Sequence, residues 1–111
     1  MEKACSTTDI KAGEVQHFDI EGTPVAIVHA EDQNFYAIHD VCSHGDIPLS
    51  EGFVEGCALE CIGHGSQFDL KTGQPLNLPA YEAVKVYETE IKDGEVFVDI
   101  NAIVNAKEFE A

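Results

Sequence analysis

Arginine and tryptophan are absent from this 111-residue sequence, and methionine occurs once. The six basic residues are therefore all lysines, and they face 21 Asp and Glu residues, which gives a net charge of −15 at pH 7. Binding to nucleic acid requires clustered basic side chains that neutralise phosphates, so this composition argues against that class of partner. The same charge disfavours an anionic membrane surface and favours a partner that carries a basic patch.

The sequence also lacks an apolar run of about 20 residues, the length that crosses a bilayer. Its first residues, Met1 to Cys5, lack the basic start and apolar stretch of a secretory signal. We therefore expect a soluble protein that stays in the cytoplasm, where thiols remain reduced. In that compartment the four cysteines, Cys5, Cys42, Cys57 and Cys61, are more typical of metal ligands or buried thiols than of disulfides.

The hydrophobic pattern predicts short β-strands and no long helix. The strands are expected at residues 15–20, 24–30, 35–41, 83–91 and 96–100. Asp93-Gly94 indicates a type I′ hairpin turn between the last two strands, because both residues accept a positive φ angle. Short helical turns are expected only after residues 6–9 and near the C-terminus. This pattern is typical of an all-β antiparallel sandwich or open barrel.

Residues 42–82 differ from the rest of the chain. They hold six of the nine glycines and three of the four prolines, together with the residues that most resemble metal ligands. We interpret them as a loop-rich subdomain inserted within one domain that spans residues 1–111.

Two short motifs within this segment carry the chemistry. They are Cys42-Ser43-His44-Gly45 and Cys61-Ile62-Gly63-His64-Gly65, and sixteen residues separate His44 from Cys61. Each motif offers one thiolate and one imidazole, and each histidine precedes a glycine that lets the backbone turn tightly. A [2Fe–2S] cluster needs two protein ligands on each iron, and in Rieske centres two histidines replace two cysteines on one iron. In such a cluster, Cys42 and Cys61 would hold one iron, and His44 and His64 the other.

Zinc is the alternative metal, since two cysteines and two histidines are a common zinc set. Zinc fingers, however, usually place both cysteines before both histidines, whereas the order alternates here.

The remaining cysteines and histidines have simpler interpretations. Cys57 could be an alternative ligand or a redox partner, but a buried thiol on a strand is favoured. Cys5 is interpreted as a buried residue of the first strand. His17, His29 and His39 have no cysteine at ligand spacing and are expected to be structural or exposed.

The pattern Cys-x-His-x16-Cys-x2-His and its glycines resemble the Rieske family, over essentially the whole chain. Within that family the sequence is similar to the small ferredoxins of bacterial aromatic-ring-hydroxylating dioxygenases. The resemblance implies a Rieske-like β-sandwich with an inserted cluster-binding subdomain and one Rieske-type [2Fe–2S] cluster. It also implies a one-electron carrier between a flavin-dependent ferredoxin reductase and a terminal oxygenase, and not an enzyme. A Rieske-like small subunit of a nitrite reductase is the alternative.

Departures from other Rieske proteins refine this expectation. Respiratory members carry a disulfide between the two cluster loops, and Ile47 and Gly63 stand at the corresponding positions. High-potential members place a Ser and a Tyr near the second loop, where Ser66 and Phe68 are found here. The loss of one hydroxyl that donates to a cluster sulfur predicts a reduction potential near the low end of the Rieske range, about −150 mV. The segment 74–80 resembles the family's proline-bearing loop, in which Pro79 would form a stiff cover over the cluster.

Acidic residues dominate the region around the two motifs. Residues 31–70 contain eight acids and no lysine: Glu31, Asp32, Asp40, Asp46, Glu51, Glu55, Glu60 and Asp69. This distribution predicts transient docking to redox partners, steered by charge.

Overall fold

The computed structural model describes residues 2–42, 47–63, 65–77 and 82–109, and within them the chain is built from β-strands. The strands are β1 (Glu2–Ser6), β2 (Glu14–Ile20), β3 (Thr23–His29), β4 (Phe35–His39), β5 (Phe53–Glu55), β6 (Ala58–Glu60), β7 (Gln67–Asp69), β8 (Val86–Lys92) and β9 (Glu95–Ile103). The helical elements in this part of the chain are two 3-10 helices, Leu49–Glu51 and Ala106–Phe109. The all-β class predicted from the sequence is confirmed. None of the described helices is long and apolar enough to cross a membrane.

Six strands form the larger sheet, in the order β1-β9-β8-β4-β3-β2. All of its neighbouring strands are antiparallel. The two edge strands, β1 and β2, approach each other, so the sheet curls into a nearly closed barrel.

Strand β3 lies inside this architecture and is covered on both faces. Its residues from Val25 to Val28 are completely buried, as expected of a continuous apolar run without polar interruptions. Val25 and Ile27 pack in one core cluster with residues of β1 and β9. Ala26 and Val28 point to the opposite face and pack in a second cluster, which also contains Cys42 and Cys61.

Strands β5, β6 and β7 form a separate three-stranded antiparallel sheet within the inserted segment. Val54, Leu59 and Phe68 lie opposite one another and face inward, where they join the cluster of Ala26 and Val28. The small sheet therefore shares a core with the larger sheet.

The hairpin prediction at Asp93-Gly94 is confirmed. These residues have φ angles of 52° and 75° and join β8 to β9 as a two-residue turn. The same geometry recurs at Glu21-Gly22 between β2 and β3, with φ angles of 51° and 81°.

Several sequence predictions differ from the structure, and among them are the ends of β4, at His39 and not residue 41, and of β9, at Ile103 and not residue 100. The helical turn expected after residues 6–9 was wrong, because this segment makes a simple turn in which an Asp9 carboxylate oxygen accepts the Ser6 amide at 2.9 Å. Strand β8 begins at Val86 and not at residue 83, since the Val84 amide donates to the Gly73 carbonyl outside the sheet, at 2.9 Å. Cys57 lies in the turn between β5 and β6 and is half-buried, so the prediction of a buried strand residue was also wrong.

Candidate iron–sulfur centre

The first loop, which carries the Cys42-Ser43-His44 motif in the sequence, starts beyond the end of β4. Cys42 is 3% exposed, and its amide donates to the carbonyl of Ile47 at 2.9 Å. This bond brings together the two ends of the segment that contains His44. His44 itself lies outside the described residues.

The second loop is closed in the same way. Cys61 directly follows β6 and is completely buried, and its amide donates to the Ser66 carbonyl at 2.7 Å. The Gly65 amide donates back to the Cys61 carbonyl at 2.9 Å, and Gly65 has a φ angle of 72°, as expected for a tight turn. His64 lies outside the described residues.

The two loops touch at Ile47 and Gly63. A Cβ atom placed on Gly63 would stand 2.1 Å from Cδ1 of Ile47, so no larger residue fits at this position without displacing the isoleucine. These are the positions at which the family resemblance places a disulfide in respiratory members. Here an apolar contact joins the loops, and although all four cysteines lie within the described residues, none of them forms a disulfide.

The sequence singled out a third segment, residues 74–80, of which 74–77 are described. The Leu76 amide donates to the Gln67 carbonyl at 2.7 Å, which lays this segment beside β7. The Asn77 side chain accepts from the Gln67 amide at 2.6 Å and donates to the Gly65 carbonyl at 3.1 Å. Asn77 therefore ties the third segment to the second loop, a role for which the sequence held no signal. Pro79 lies outside the described residues.

Asp40 is a further positioning residue that sequence reasoning missed. Its buried carboxylate accepts from the Ser50 amide and the Ser50 hydroxyl, each at 2.6 Å, and from Nδ1 of His17. Asp40 stands two residues before Cys42, so this network fixes the start of the first loop against β2 and the 3-10 helix at Leu49–Glu51.

The three histidines outside the motifs have structural partners, as predicted. His17 contacts Asp40, and Nδ1 of His29 lies 2.7 Å from the Ile10 carbonyl. Nδ1 of His39 lies 3.1 Å from the hydroxyl of Tyr87.

The contact between His17 and Asp40 predicts a pH-dependent contribution to stability. The hydrogen bond that His17 donates to Asp40, assisted by the charges of Asp40 and Asp19, raises the pKa of His17 above its usual 6.5. The stabilisation is therefore fully present below about pH 6.5 and is lost as the pH rises through the raised folded-state value. Because the His17 side chain is 45% exposed, we expect it to amount to about 1 kcal/mol or less.

The measurement is the urea midpoint of the wild type and of His17→Gln across pH 5.5 to 8.5, roughly the range in which histidine titrates. The two proteins should differ most at the acidic end and converge at the alkaline end. A difference that stays constant across this range would contradict the prediction.

The other two cysteines are packed differently. Cys5 is buried on β1, as predicted, and burial raises the pKa of its thiol. The Cys57 thiol lies 3.8 Å from Oδ2 of Asp32, to which the Tyr36 hydroxyl also donates at 2.8 Å. Burial raises the pKa of Cys57 as well, so this thiol remains protonated at neutral pH.

The donor set suits an iron–sulfur cluster. Cys42 and Cys61 lie in one shared buried core cluster, which also contains Leu59 and Phe68, and thiolates are the usual protein ligands of such clusters. Phe68 is completely buried in that core and carries no hydroxyl. With His44 and His64 outside the described residues, no group of three or more His, Cys, Asp or Glu side chains in the rest is arranged to hold a metal ion. The described part thus provides the thiolate half of the expected set.

Comparison with known proteins identifies the family. Residues 1–88 match the model of the Rieske [2Fe-2S] domain. The chain is 39% identical over 97 residues to Ferredoxin CarAc of Metapseudomonas resinovorans, covering 86% of this chain and 90% of that protein. It is 39% identical over 98 residues to the 3-phenylpropionate/cinnamic acid dioxygenase ferredoxin subunit of Escherichia coli (strain K12), covering 87% and 91%.

Solved structures agree with this assignment. The ferredoxin in the complex of reduced oxygenase and oxidised ferredoxin of carbazole 1,9a-dioxygenase superposes with a TM-score of 0.81 at 37% identity, covering 86% of this chain and 89% of that one. The ferredoxin of carbazole 1,9a-dioxygenase from Nocardioides aromaticivorans IC177 gives a TM-score of 0.82 at 30% identity, covering 86% and 93%.

The chain belongs to the Rieske [2Fe–2S] domain family. Its cofactor is a Rieske-type [2Fe–2S] cluster, and the zinc alternative is set aside. Like its ferredoxin relatives, it is an electron carrier and not an enzyme.

Proposed function

We propose that this ferredoxin passes single electrons from a flavin-dependent ferredoxin reductase to the terminal oxygenase of an aromatic-ring-hydroxylating dioxygenase. The observation that carries the proposal is the meeting of two closed loops at Ile47 and Gly63, each with a buried cysteine at its base. The ferredoxin relatives, which serve carbazole and 3-phenylpropionate dioxygenases, supply the setting.

We assign Cys42 and Cys61 to one iron, and His44 and His64 to the other. The support is the ligand spacing and the common core that encloses both cysteines. When bound, the cluster accepts and releases one electron at a time. Burial of the two cysteines keeps water from their sulfurs, and the neutral imidazoles add less negative charge than thiolates would.

We also infer that residues 1–111 form one domain, with residues 42–82 as its cluster-binding part. The core shared by the two sheets supports this division. The absence of disulfides among the four cysteines, all of which are described, supports a cytoplasmic location.

A nitrite reductase association has weaker support. The small subunit of a nitrite reductase superposes with a TM-score of 0.76, but at 24% identity this likeness shows the fold alone.

Electron delivery to an oxygenase is the direct test. The reduced protein, mixed with the terminal oxygenases of the carbazole and 3-phenylpropionate systems, should support product formation from their aromatic substrates. The proposal would be overturned if these oxygenases formed no product with this ferredoxin but formed product with their own ferredoxins.

Ionic strength should control the rate of that delivery. Because the chain carries a net charge of −15, its encounter with a basic oxygenase surface is accelerated by attraction. We expect the second-order rate to fall about tenfold or more when ionic strength rises from about 0.01 M to about 0.15 M, as the screening length shortens from roughly 30 Å to roughly 8 Å. Stopped-flow oxidation of the reduced ferredoxin measures this rate.

Reduction by dithionite provides the matched control. Dithionite is an anion, so the same charge repels it, and salt should accelerate that reaction. If salt left both rates unchanged, electrostatic steering would be excluded.

A further inference from the structure

The outer face of the three-stranded sheet carries an unusual combination of side chains. Phe53 pairs with Glu60, and Glu60 pairs with Gln67, so these three residues lie in one row across β5, β6 and β7. Directly paired residues share a face of a sheet. Because Val54, Leu59 and Phe68 occupy the inner face, the row containing Phe53 points outward.

The third segment extends this row by one residue. Pro75 forms a bridge with Phe68, and the Leu76 amide donates to the Gln67 carbonyl, which sets Leu76 beside Gln67. We call Phe53, Glu60, Gln67 and Leu76 the outer strip. At about 4.8 Å between neighbouring strands, the strip is about 14 Å wide.

Large apolar side chains are exposed at both ends of the strip. Phe53 is 59% exposed and Leu76 is 55% exposed, and Ile62 in the second loop is 51% exposed. These are three of the five large hydrophobic residues that are exposed in the described part of the chain. Phe53 and Leu76 therefore give the strip an exposed apolar side chain at each end.

The middle of the strip is acidic. Nε2 of Gln67 lies 3.3 Å from a carboxylate oxygen of Glu60 and 3.3 Å from one of Glu55, so one amide holds two carboxylates close together. No lysine or arginine occurs between residues 31 and 70 to neutralise them. The strip therefore offers apolar anchors around concentrated negative charge.

The strip also frames the second loop. Glu60 is followed directly by Cys61, and Gln67 is preceded by Ser66, so the two central residues of the strip flank the loop that carries His64. A partner seated on the strip would stand against the loop from which electrons must leave.

We propose that the outer strip docks a basic surface of the terminal oxygenase that has an apolar recess for Phe53. The inference rests on the proposed function, and the complex known for a 37% identical ferredoxin and its oxygenase makes the oxygenase the occupant. An aromatic anchor surrounded by charge-complementary residues concentrates binding energy in a small area. A small interface suits a carrier that must release its partner after each electron.

The test compares two double variants of the holoprotein. Phe53→Ser with Glu55→Lys removes the anchor and reverses a charge beside the strip. Ile91→Ser with Glu90→Lys makes a matched change on β8, where both residues are exposed. Oxygenase from the carbazole system serves as the partner, and binding is measured by calorimetry alongside turnover.

The strip variant should raise the dissociation constant for the oxygenase and its KM for ferredoxin about tenfold or more, equivalent to about 1.4 kcal/mol. The visible spectrum, the reduced-state EPR signal and kcat at saturation should stay within twofold of the wild type. The β8 variant should match the wild type throughout. If the strip variant loses its visible spectrum, Leu76→Ser carries the same expectation on binding.

Three outcomes would overturn the inference. In the first, the strip and β8 variants weaken oxygenase binding equally. In the second, neither variant weakens oxygenase binding. In the third, the strip variant impairs only the reduction of the protein by the ferredoxin reductase, which would assign the surface to that partner. Failure of the proposed function is distinguishable, since the wild-type protein itself would then bind no oxygenase and support no turnover.

Discussion

Cys61→Ala should yield a colourless protein with almost no iron or acid-labile sulfide. Cys61 is completely buried at the base of the second loop, so no water or neighbouring surface residue can replace its thiolate. Removing one of two ligands on an iron leaves the cluster without a complete donor set. Iron and sulfide analysis after anaerobic reconstitution measures the loss.

Cys57→Ala is the matched control. Cys57 lies only four residues away, but it occupies a turn and its thiol contacts Asp32. This variant should keep the full iron content and the visible spectrum. If Cys61→Ala kept the full iron content as well, Cys61 would be removed from the ligand set.

His64→Cys should retain a cluster whose reduction potential is markedly lower. A thiolate adds a negative charge that an imidazole does not, so the additional electron is less stable. From a wild-type value near −150 mV, we expect a fall on the order of 100 mV or more, towards the roughly −400 mV of plant-type ferredoxins. Protein-film voltammetry measures both potentials directly.

His29→Cys provides the comparison for that experiment. His29 stacks on Phe35 and contacts the Ile10 carbonyl, and it is assigned no role at the cluster. Its replacement should leave the potential unchanged. A wild-type potential retained in His64→Cys would contradict the ligand assignment.

The larger sheet could be predicted because its strands are long enough to show their pattern. The β8–β9 hairpin, for example, combines alternating Val96 and Val98 with an Asp93-Gly94 turn that allows few other conformations. Both signals are local, so the sequence alone was sufficient to place this hairpin.

The small sheet could not be predicted, because β5, β6 and β7 have three residues each. A period of two needs a longer run to be recognised. The same limitation explains the wrong prediction for Cys57, whose neighbours Ala58 and Leu59 are apolar, as in a strand that has already begun.

The candidate site could likewise be predicted from the sequence only in part. Spacing alone predicts the four ligands, since each motif is contiguous in the sequence, and this assignment stays a prediction. The residues that position them are distant from one another: Asp40 is held by Ser50 and His17, and Asn77 reaches back to Gly65. Such contacts arise only when the tertiary structure forms, so no local sequence pattern predicts them.

The contact of Ile47 with Gly63 has a consequence for how the protein matures. A contact between one methyl group and a bare backbone forms without the oxidation of any thiol. The two loops can therefore come together with no prior oxidation step that joins them. Because no disulfide is present at this contact, a reducing agent has no bond there to break.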